Sequence, residues 1–133
     1  MCISSNGRFL ATGSYDHSVK VWDLEAGTES FRFEHGAPVE TVLFSPNSSM
    51  LVSCGSNYVK FWDMSNGSVL HTMFPHQKTI TCMTFSSDSS CLLTGSLDRH
   101  CKVIDLVNFG VLHGYKFPSP VMTIDCDVSF LYL

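Results

Sequence analysis

The amino-acid sequence predicts an all-β fold in which one four-stranded unit is repeated along the chain. A repeat of about 41 residues is visible in three separate motifs. Short runs that alternate apolar and polar residues, such as VETVLFS at Val39–Ser45, are separated every eight to twelve residues by Gly, Asn, Asp, Ser or Pro, which is typical of strands joined by tight turns. No window predicts a helix, because the stretch EAGTES is short and contains Gly27.

The three motifs mark the repeat in chain order. The runs VKVWD, VKFWD and CKVID end at Asp23, Asp63 and Asp105, with spacings of 40 and 42 residues. The tripeptides FEH and FPH begin 41 residues apart, at Phe33 and Phe74. The runs ISSNGRFLAT, FSPNSSMLVS and FSSDSSCLLT follow one another at the same interval of 41 residues. Because the markers share one period, we expect each unit to contain the same strands in the same order.

A four-stranded unit of this length, with a histidine before its first strand and Trp-Asp on its third, resembles the WD40-repeat family of β-propellers. The resemblance implies a single partial WD40 β-propeller over residues 1–133, with blades at about 1–33, 39–74 and 80–117. One or two strands of a fourth blade are expected over 120–133. An incomplete propeller of this kind is expected to be an open array that associates with itself or needs further blades.

Composition narrows the class of protein. The chain has 133 residues, of which 44% are hydrophobic and 15% charged, which favours one folded domain with a buried core. A formal charge of -4 disfavours a free-standing nucleic-acid binder, so we expect any RNA to be held through partners. Neither an apolar run long enough to span a membrane nor a signal peptide is visible, so the sequence predicts an intracellular location and no membrane partner.

The cysteines are predicted to be reduced, buried thiols. None of the six forms a Cys-x-x-Cys pair, and most lie inside apolar, strand-like runs: Cys2, Cys54, Cys82, Cys91, Cys101 and Cys126. Cys91, His100 and Cys101 form the best metal-ligand candidate, but they lack the closely spaced pairs typical of structural zinc sites. We therefore expect no metal and no cofactor.

The polar residues of the repeat predict a structural network. An aspartate in a tight turn can accept hydrogen bonds from its own backbone, as expected of Asp16 in GSYD and Asp98 in GSLD. The WD40 resemblance implies that this aspartate is joined to the upstream histidine, to a Ser or Thr on the second strand and to the tryptophan on the third. The expected members are Thr12, Asp16 and Trp22 in the first blade, His35, Ser53 and Trp62 in the second, and His76, Thr94 and Asp98 in the third.

No blade carries the full set. The histidine of the first blade would precede Met1, the turn of the second reads GSNY without an aspartate, and Ile104 replaces the tryptophan of the third. Such networks help a fold only when every member is satisfied, so we expect the blades to differ in stability.

Catalytic interpretations are weaker. Asp16 and His17 resemble half of a catalytic pair, but no nucleophile motif such as Gly-x-Ser-x-Gly accompanies them. Asp125 and Asp127 would share one face of a strand without a third ligand. The sequence therefore predicts a protein that is not an enzyme.

Propellers commonly present loops on their rims to other macromolecules. Residues beside the turn aspartates and at the starts of inner strands would reach such a partner. This geometry predicts a partner-binding rim of Tyr15, His17, Glu40, Thr81, Leu97 and Arg99. The alternative, that these residues are only solvated, remains open at this point.

The runs TGSYDHSVKVWD, FEHGAPVETVLF and the irregular GSNYVKFWDM resemble the sequences of WD40 subunits of the nucleolar small-subunit processome. This resemblance implies a non-catalytic nucleolar scaffold in pre-18S ribosomal RNA processing and ribosome biogenesis, which also supports ribosomal DNA transcription. Its partners would be other processome proteins, with pre-ribosomal RNA and small nucleolar ribonucleoprotein contacted indirectly, and no small-molecule substrate.

The alternative function is a substrate-recruiting or adaptor module of a ubiquitin ligase or signalling complex. Such a module would need clustered arginines to bind acidic or phosphorylated peptides. The chain has only Arg8, Arg32 and Arg99, which are scattered along the sequence.

Overall fold

The computed structural model describes residues 7–45, 49–86 and 90–122, together with the backbone of Cys2–Ile3. Within this described part of the chain, twelve strands form three sheets. The first sheet contains β1 (Cys2–Ile3), β2 (Phe9–Gly13), β3 (Ser18–Asp23) and β4 (Thr28–Glu34). The second contains β5 (Thr41–Phe44), β6 (Met50–Gly55), β7 (Tyr58–Asp63) and β8 (Val69–Met73). The third contains β9 (Ile80–Phe85), β10 (Cys91–Ser96), β11 (His100–Asp105) and β12 (Val111–Lys116).

Each sheet is an antiparallel meander in which spatial order follows chain order. The described residues contain no helix, and the predicted all-β fold of repeated four-stranded sheets is confirmed. First strands of adjacent sheets contact one another, so β5 lies between β1 and β9, and β4, β8 and β12 are the outer strands. The strands expected over 120–133 lie outside the described residues from position 123 onward, as do Asp125, Cys126 and Asp127.

Hydrophobic cores lie between neighbouring sheets. Trp62 and Leu51 of the second sheet pack toward the first sheet, in a cluster that includes Val21 and Phe33. Phe61, the neighbour of Trp62, packs toward the third sheet in a second cluster. Successive residues of a strand point to opposite faces, and both faces of the second sheet are covered. This explains why β6 is buried almost throughout instead of alternating.

One backbone hydrogen bond recurs where the chain enters each new sheet. The N–H of Val39 donates to the carbonyl of Ser14 at 3.0 Å, and the N–H of Ile80 donates to the carbonyl of Ser56 at 2.8 Å. The N–H of Val121 donates to the carbonyl of Ser96 at 3.0 Å. The three donors are 41 residues apart, so the chain after β12 docks on the third sheet as it docks on the first two.

The turn after the third strand of each sheet needs a left-handed residue. Gly27 and Gly67 supply it in the first two sheets with φ of 69° and 75°, but Phe109 takes the same place in the third with φ of 57°. The Phe109 ring stacks on His71 with centroids 4.5 Å apart and meets Phe61 edge-on at 5.0 Å. Packing between the second and third sheets thus offsets the backbone strain.

Candidate functional site

The second sheet contains a buried chain of hydrogen bonds centred on His35, which is 0% exposed. The Trp62 indole N–H donates to Ser53 Oγ at 2.9 Å, and Ser53 Oγ lies 2.9 Å from His35 Nδ1. His35 Nε2 lies 3.3 Å from the carbonyl oxygen of Gly55. A carbonyl only accepts, so Nε2 carries the proton and Nδ1 accepts from the serine hydroxyl. Each polar group in this series of hydrogen bonds therefore has a partner when His35 is neutral.

Tyr58 replaces the missing turn aspartate of the second sheet. The segment from Ser53 to Trp62 is one residue shorter than the equivalent segment from Thr12 to Trp22, and Ser56 in its turn lies in the left-handed region at φ of 54°. This places the Tyr58 ring on His35, with centroids 4.5 Å apart and planes inclined by 4°. The phenol O–H also donates to the His35 carbonyl at 2.6 Å. Sequence reasoning missed this role of Tyr58. The signal was present, because the turn GSNY lacks the expected aspartate and ends in this tyrosine.

The third sheet holds its histidine differently. His76 Nδ1 lies 3.0 Å from Asp98 Oδ2, and Nε2 lies 2.7 Å from Thr94 Oγ1. Asp98 also accepts hydrogen bonds from the backbone N–H groups of Gln77, at 3.0 Å, and His100, at 2.9 Å. The buried side chain of Ile104 has no N–H to donate, so the Thr94 hydroxyl bonds the histidine alone.

Burial determines the charge of both histidines. Desolvation lowers the pKa of His35 to about 4. Desolvation also lowers the pKa of His76, although the nearby Asp98 carboxylate opposes that shift. Burial raises the pKa of Asp98, but hydrogen bonds from Gln77, His100 and His76 outweigh it and the net pKa is lowered. At neutral pH both histidines are uncharged, which suits a structural bridge.

The first sheet does not assemble the predicted network, and this expectation needs correction. No hydrogen bond joins Thr12, Asp16 and Trp22, all of which lie in the described range 7–45. Asp16 is exposed and closes its own turn by accepting from the backbone N–H of Ser18 at 3.0 Å and from its hydroxyl at 2.5 Å. In the other two sheets a histidine bonds the Ser or Thr of the second strand. Residues 7–45 place no histidine beside Thr12, so this link is missing within them.

The structure brings four of the six predicted rim residues into two equivalent turns. Tyr15 and His17 lie in the β2–β3 turn, and Leu97 and Arg99 lie in the β10–β11 turn. All four side chains are exposed, Tyr15 by 71%, and His17 and Arg99 have positive φ of 79° and 71°. The left-handed residue ends each turn and carries its side chain outward.

The other two predicted rim residues differ from each other. Glu40 is exposed where the chain enters β5. Thr81 is only partly exposed, and its hydroxyl donates to the backbone carbonyls of Gly95 and Val121. The Thr81 side chain therefore holds the entry to the next repeat, and its place on the partner-binding rim stays a prediction.

Phe117 occupies the position of a network histidine. Its N–H donates to the Arg99 carbonyl at 2.8 Å, just as the His35 N–H donates to the His17 carbonyl at 2.8 Å. Both residues come four positions before the valine that docks on the preceding sheet. The sequence signal was the parallel between HGAPV and FPSPV, which motif reasoning did not use.

The thiols and possible metal ligands show no clustering in the described part of the chain. Cys54, Cys82, Cys91 and Cys101 are free, and burial raises the pKa of Cys101 to about 11. No group of three His, Cys, Asp or Glu side chains is placed to hold a metal ion within those residues. The same residues include no helix of the length and apolarity that a membrane crossing requires.

Comparison with known proteins assigns this architecture to a family. The family model described as WD domain, G-beta repeat matches residues 1–23, 27–63 and 67–105. The chain therefore belongs to the WD40 repeat family, in which repeated four-stranded sheets form a propeller.

Among curated proteins, the chain is similar to U3 small nucleolar RNA-associated protein 15 homologs. It is 42% identical over 125 residues to that of Xenopus laevis, covering 92% of this chain and 24% of the relative. It is 41% identical over 120 residues to the homolog of Gallus gallus, covering 90% of this chain and 23% of the relative. It is 37% identical over 128 residues to U3 small nucleolar RNA-associated protein 15 of Saccharomyces cerevisiae, covering 90% of this chain and 24% of the relative. The chain spans about a quarter of the length of these relatives, and the resemblance drawn from the quoted sequence runs is confirmed.

The first prediction compares the two hydroxyls that contact the histidines. Ser53→Ala leaves His35 Nδ1 and the Trp62 indole N–H without a partner, whereas Thr94→Val leaves only His76 Nε2 without one. We expect Ser53→Ala to lower the free energy of unfolding by about 2–4 kcal/mol and Thr94→Val by about 1–3 kcal/mol. Urea unfolding of the purified chain measures both values, with Ser68→Ala at an exposed position as the control. Equal losses in the two variants would contradict the bridging role of Ser53.

The second prediction concerns pH. The folded pKa of His35 is about 4 and its unfolded value is about 6.5, so the unfolded chain binds more protons between these limits. The stability that depends on neutral His35 is complete above about pH 6.5 and is lost as the pH falls toward 4, by up to roughly 3 kcal/mol. His35→Gln should flatten the fall in unfolding free energy over this range. His113→Gln, at an exposed position on β12, should keep it, and an unchanged slope in His35→Gln would refute the assignment.

Proposed function

We propose that this chain is a segment of a non-catalytic WD40 scaffold subunit of the nucleolar small-subunit processome. In this role it acts in pre-18S ribosomal RNA processing and ribosome biogenesis, and supports ribosomal DNA transcription. One observation carries the proposal: the chain is about 40% identical, over about 90% of its length, to proteins from frog, chicken and yeast that are named for association with U3 small nucleolar RNA.

The buried histidines support a structural role for the polar motifs. His35 and His76 are enclosed and neutral, and their hydrogen bonds go to groups of their own sheet. General acid–base chemistry needs a group that can reach a substrate proton. A scaffold that binds other macromolecules through its surface fits these enclosed side chains better than an enzyme does.

The charges favour protein partners, with RNA contacted indirectly. Arg8 lies 3.2 Å from Asp23 and 3.7 Å from Glu25, and Arg32 lies 3.2 Å from Glu29. Two of the three arginines are therefore engaged within the first sheet and do not form a free cationic cluster. The same pairing disfavours the alternative of a ubiquitin-ligase or signalling module, since such a module needs grouped arginines for acidic peptides.

The proposal predicts where the protein is found and what its loss does. The full-length protein with an epitope tag should concentrate in the nucleolus and co-precipitate U3 small nucleolar RNA, and its depletion should cause precursors of 18S ribosomal RNA to accumulate. Fluorescence microscopy, RNA precipitation and northern blotting check the three outcomes. Exclusion of the protein from the nucleolus together with normal 18S processing would sink the proposal.

We propose that the partner-binding rim, which consists of the two exposed turns and Glu40, contacts processome proteins. Tyr15 and Leu97 provide apolar contact area beside the polar side chains of His17 and Arg99. Aromatic and arginine side chains contribute most to protein interfaces. Thr81 is left out because its hydroxyl is used within the fold.

The rim proposal is tested in the full-length tagged protein by the four-residue variant Tyr15→Ser, His17→Asn, Leu97→Ser and Arg99→Asn. Asparagine tolerates the left-handed backbone, so the turns are kept. We expect U3 small nucleolar RNA recovered with the variant to fall about tenfold or more if the turns are an energetic centre of the interface. Val107→Ser, at an exposed position in another turn, is the control. Unchanged recovery in the four-residue variant would remove the rim from the interface.

A further inference from the structure

Two serines of the sequence are followed directly by proline, at Ser45-Pro46 and at Ser119-Pro120. A serine before proline is the pattern that proline-directed protein kinases modify, because they accept a residue without a backbone N–H after the serine. The pattern alone does not distinguish the two serines. The structure does, since one serine is enclosed and the other is exposed.

Ser45 is closed to a kinase. It follows β5 directly and is 5% exposed. Its N–H donates to the Met50 carbonyl at 2.8 Å, and its Oγ accepts from the Met50 N–H at 3.2 Å. Phosphoryl transfer needs a hydroxyl that reaches the γ-phosphate of ATP. Ser45 reaches it only after the connection between β5 and β6 has opened.

Ser119 is exposed, in the segment that joins β12 to the docked Val121. Within the described residues its hydroxyl makes no hydrogen bond, and neither do the backbone groups of positions 118–120. Pro118 and Pro120 have no N–H to donate, and Pro120 disfavours helical backbone at Ser119. The hydroxyl is therefore available for modification without the loss of any hydrogen bond at these three positions.

The equivalent positions in the other two junctions show that this place tolerates different side chains. Ser119 comes two residues before Val121, as Ala37 comes before Val39 and Lys78 before Ile80. The alanine shows that the junction forms without a hydroxyl. Lys78 is exposed, so a long charged side chain is also compatible with the backbone here. A phosphate on Ser119 thus replaces no contact that the repeat needs.

A cation is held beside this segment. The Phe117 N–H donates to the Arg99 carbonyl at 2.8 Å, and the Val121 N–H donates to the Ser96 carbonyl at 3.0 Å. Ser119 therefore lies between two hydrogen bonds to the β10–β11 turn. Arg99 is exposed and has no ion pair among the described residues, whereas the other two arginines each have one. A guanidinium can bind a phosphate through two parallel hydrogen bonds.

The carboxylate of the same turn is already engaged. The Asp98 side chain is 9% exposed and lies 3.0 Å from His76 Nδ1. It also accepts hydrogen bonds from the backbone N–H groups of Gln77 and His100. Its charge is therefore directed to groups of the third sheet, and Arg99 is the charged side chain of this turn that is open to solvent.

We propose that Ser119 is a phosphorylation site for a proline-directed protein kinase and that its phosphate pairs with Arg99. Ser119 Oγ attacks the γ-phosphorus of ATP, and the new O–P bond forms as the bond to the β-phosphate oxygen breaks. ADP leaves, and the hydroxyl proton passes to the catalytic carboxylate of the kinase. The phosphate adds a charge of about -2 at neutral pH. The proposal rests on the surroundings of Ser119 and does not require the processome role.

Mass spectrometry of the tagged full-length protein, isolated from growing cells with phosphatases inhibited, tests the site. Phosphate at Ser119 should exceed phosphate at Ser45 about tenfold or more, because modification of Ser45 needs a local opening. Pro120→Thr copies Thr79 of the preceding junction and should lower the phosphate at Ser119 about tenfold through the lost kinase contact. Ser119→Ala copies Ala37 and should remove the signal. Absence of phosphate at Ser119, equal phosphate at both serines, or an unchanged signal in Pro120→Thr would overturn the proposal.

The rate of dephosphorylation tests the pairing with Arg99. Phosphorylated full-length protein is treated with a purified serine phosphatase, and the phosphate left on Ser119 is followed by mass spectrometry. Wild type should lose it about two- to fivefold more slowly than Arg99→Asn, as expected of an exposed ion pair, and the difference should shrink as salt is raised. Asparagine tolerates the left-handed backbone of position 99. Arg32→Gln, on the first sheet, is the matched control and should behave as wild type. Equal rates for Arg99→Asn and wild type would exclude the pairing.

Discussion

A buried histidine joins the start of a sheet to its second strand, and the order of the second and third sheets depends on it. His35 bonds Ser53 on β6, and His76 bonds Thr94 on β10, each across 18 residues of sequence. Lys60 reaches the carbonyl of the residue before His35 at 3.5 Å, and Lys102 does the same before His76. The segment between sheets is thus held from its backbone and its side chain. Burial favours the neutral imidazole, which donates at one ring nitrogen and accepts from a hydroxyl at the other, so each sheet junction is linked to the protonation state of its histidine.

The networks keep the histidine and vary what surrounds it. Tyr58 stacks on His35 where the third sheet uses the Asp98 carboxylate on His76. The two solutions differ electrically, since the carboxylate opposes the loss of charge on its histidine and the phenol ring does not. Phe117 goes one step further and places an apolar ring where the histidine would be. Sheets of one repeat family therefore differ in pH response even though their backbones follow the same plan.

The period of the sequence predicts the fold because every sheet repeats the same pattern of strands and turns. The period does not predict contacts that depend on the number of residues in a turn. The sequence shows that GSNY lacks an aspartate, but only the shortened turn brings Tyr58 over His35. Thr81 has the right position for a rim residue, yet its hydroxyl turns inward to carbonyls contributed 14 and 40 residues later. A motif search cannot foresee such partners, because they are distant in sequence from Thr81 and one of them, Val121, lies beyond the last strand of the sheet.

Phe109 shows how packing between sheets overrides a local rule. Turn chemistry favours glycine at this position, and the first two sheets follow it. The strained phenylalanine is kept because its ring fills the space between His71 and Phe61. The same outer region carries Leu70 and Leu112, at β-bulges of β8 and β12, and their side chains find no such cover. Apolar residues at the outer edge thus divide into those that join sheets and those left facing solvent. Only the second kind is free to contact a partner, since the first already packs against a neighbouring sheet.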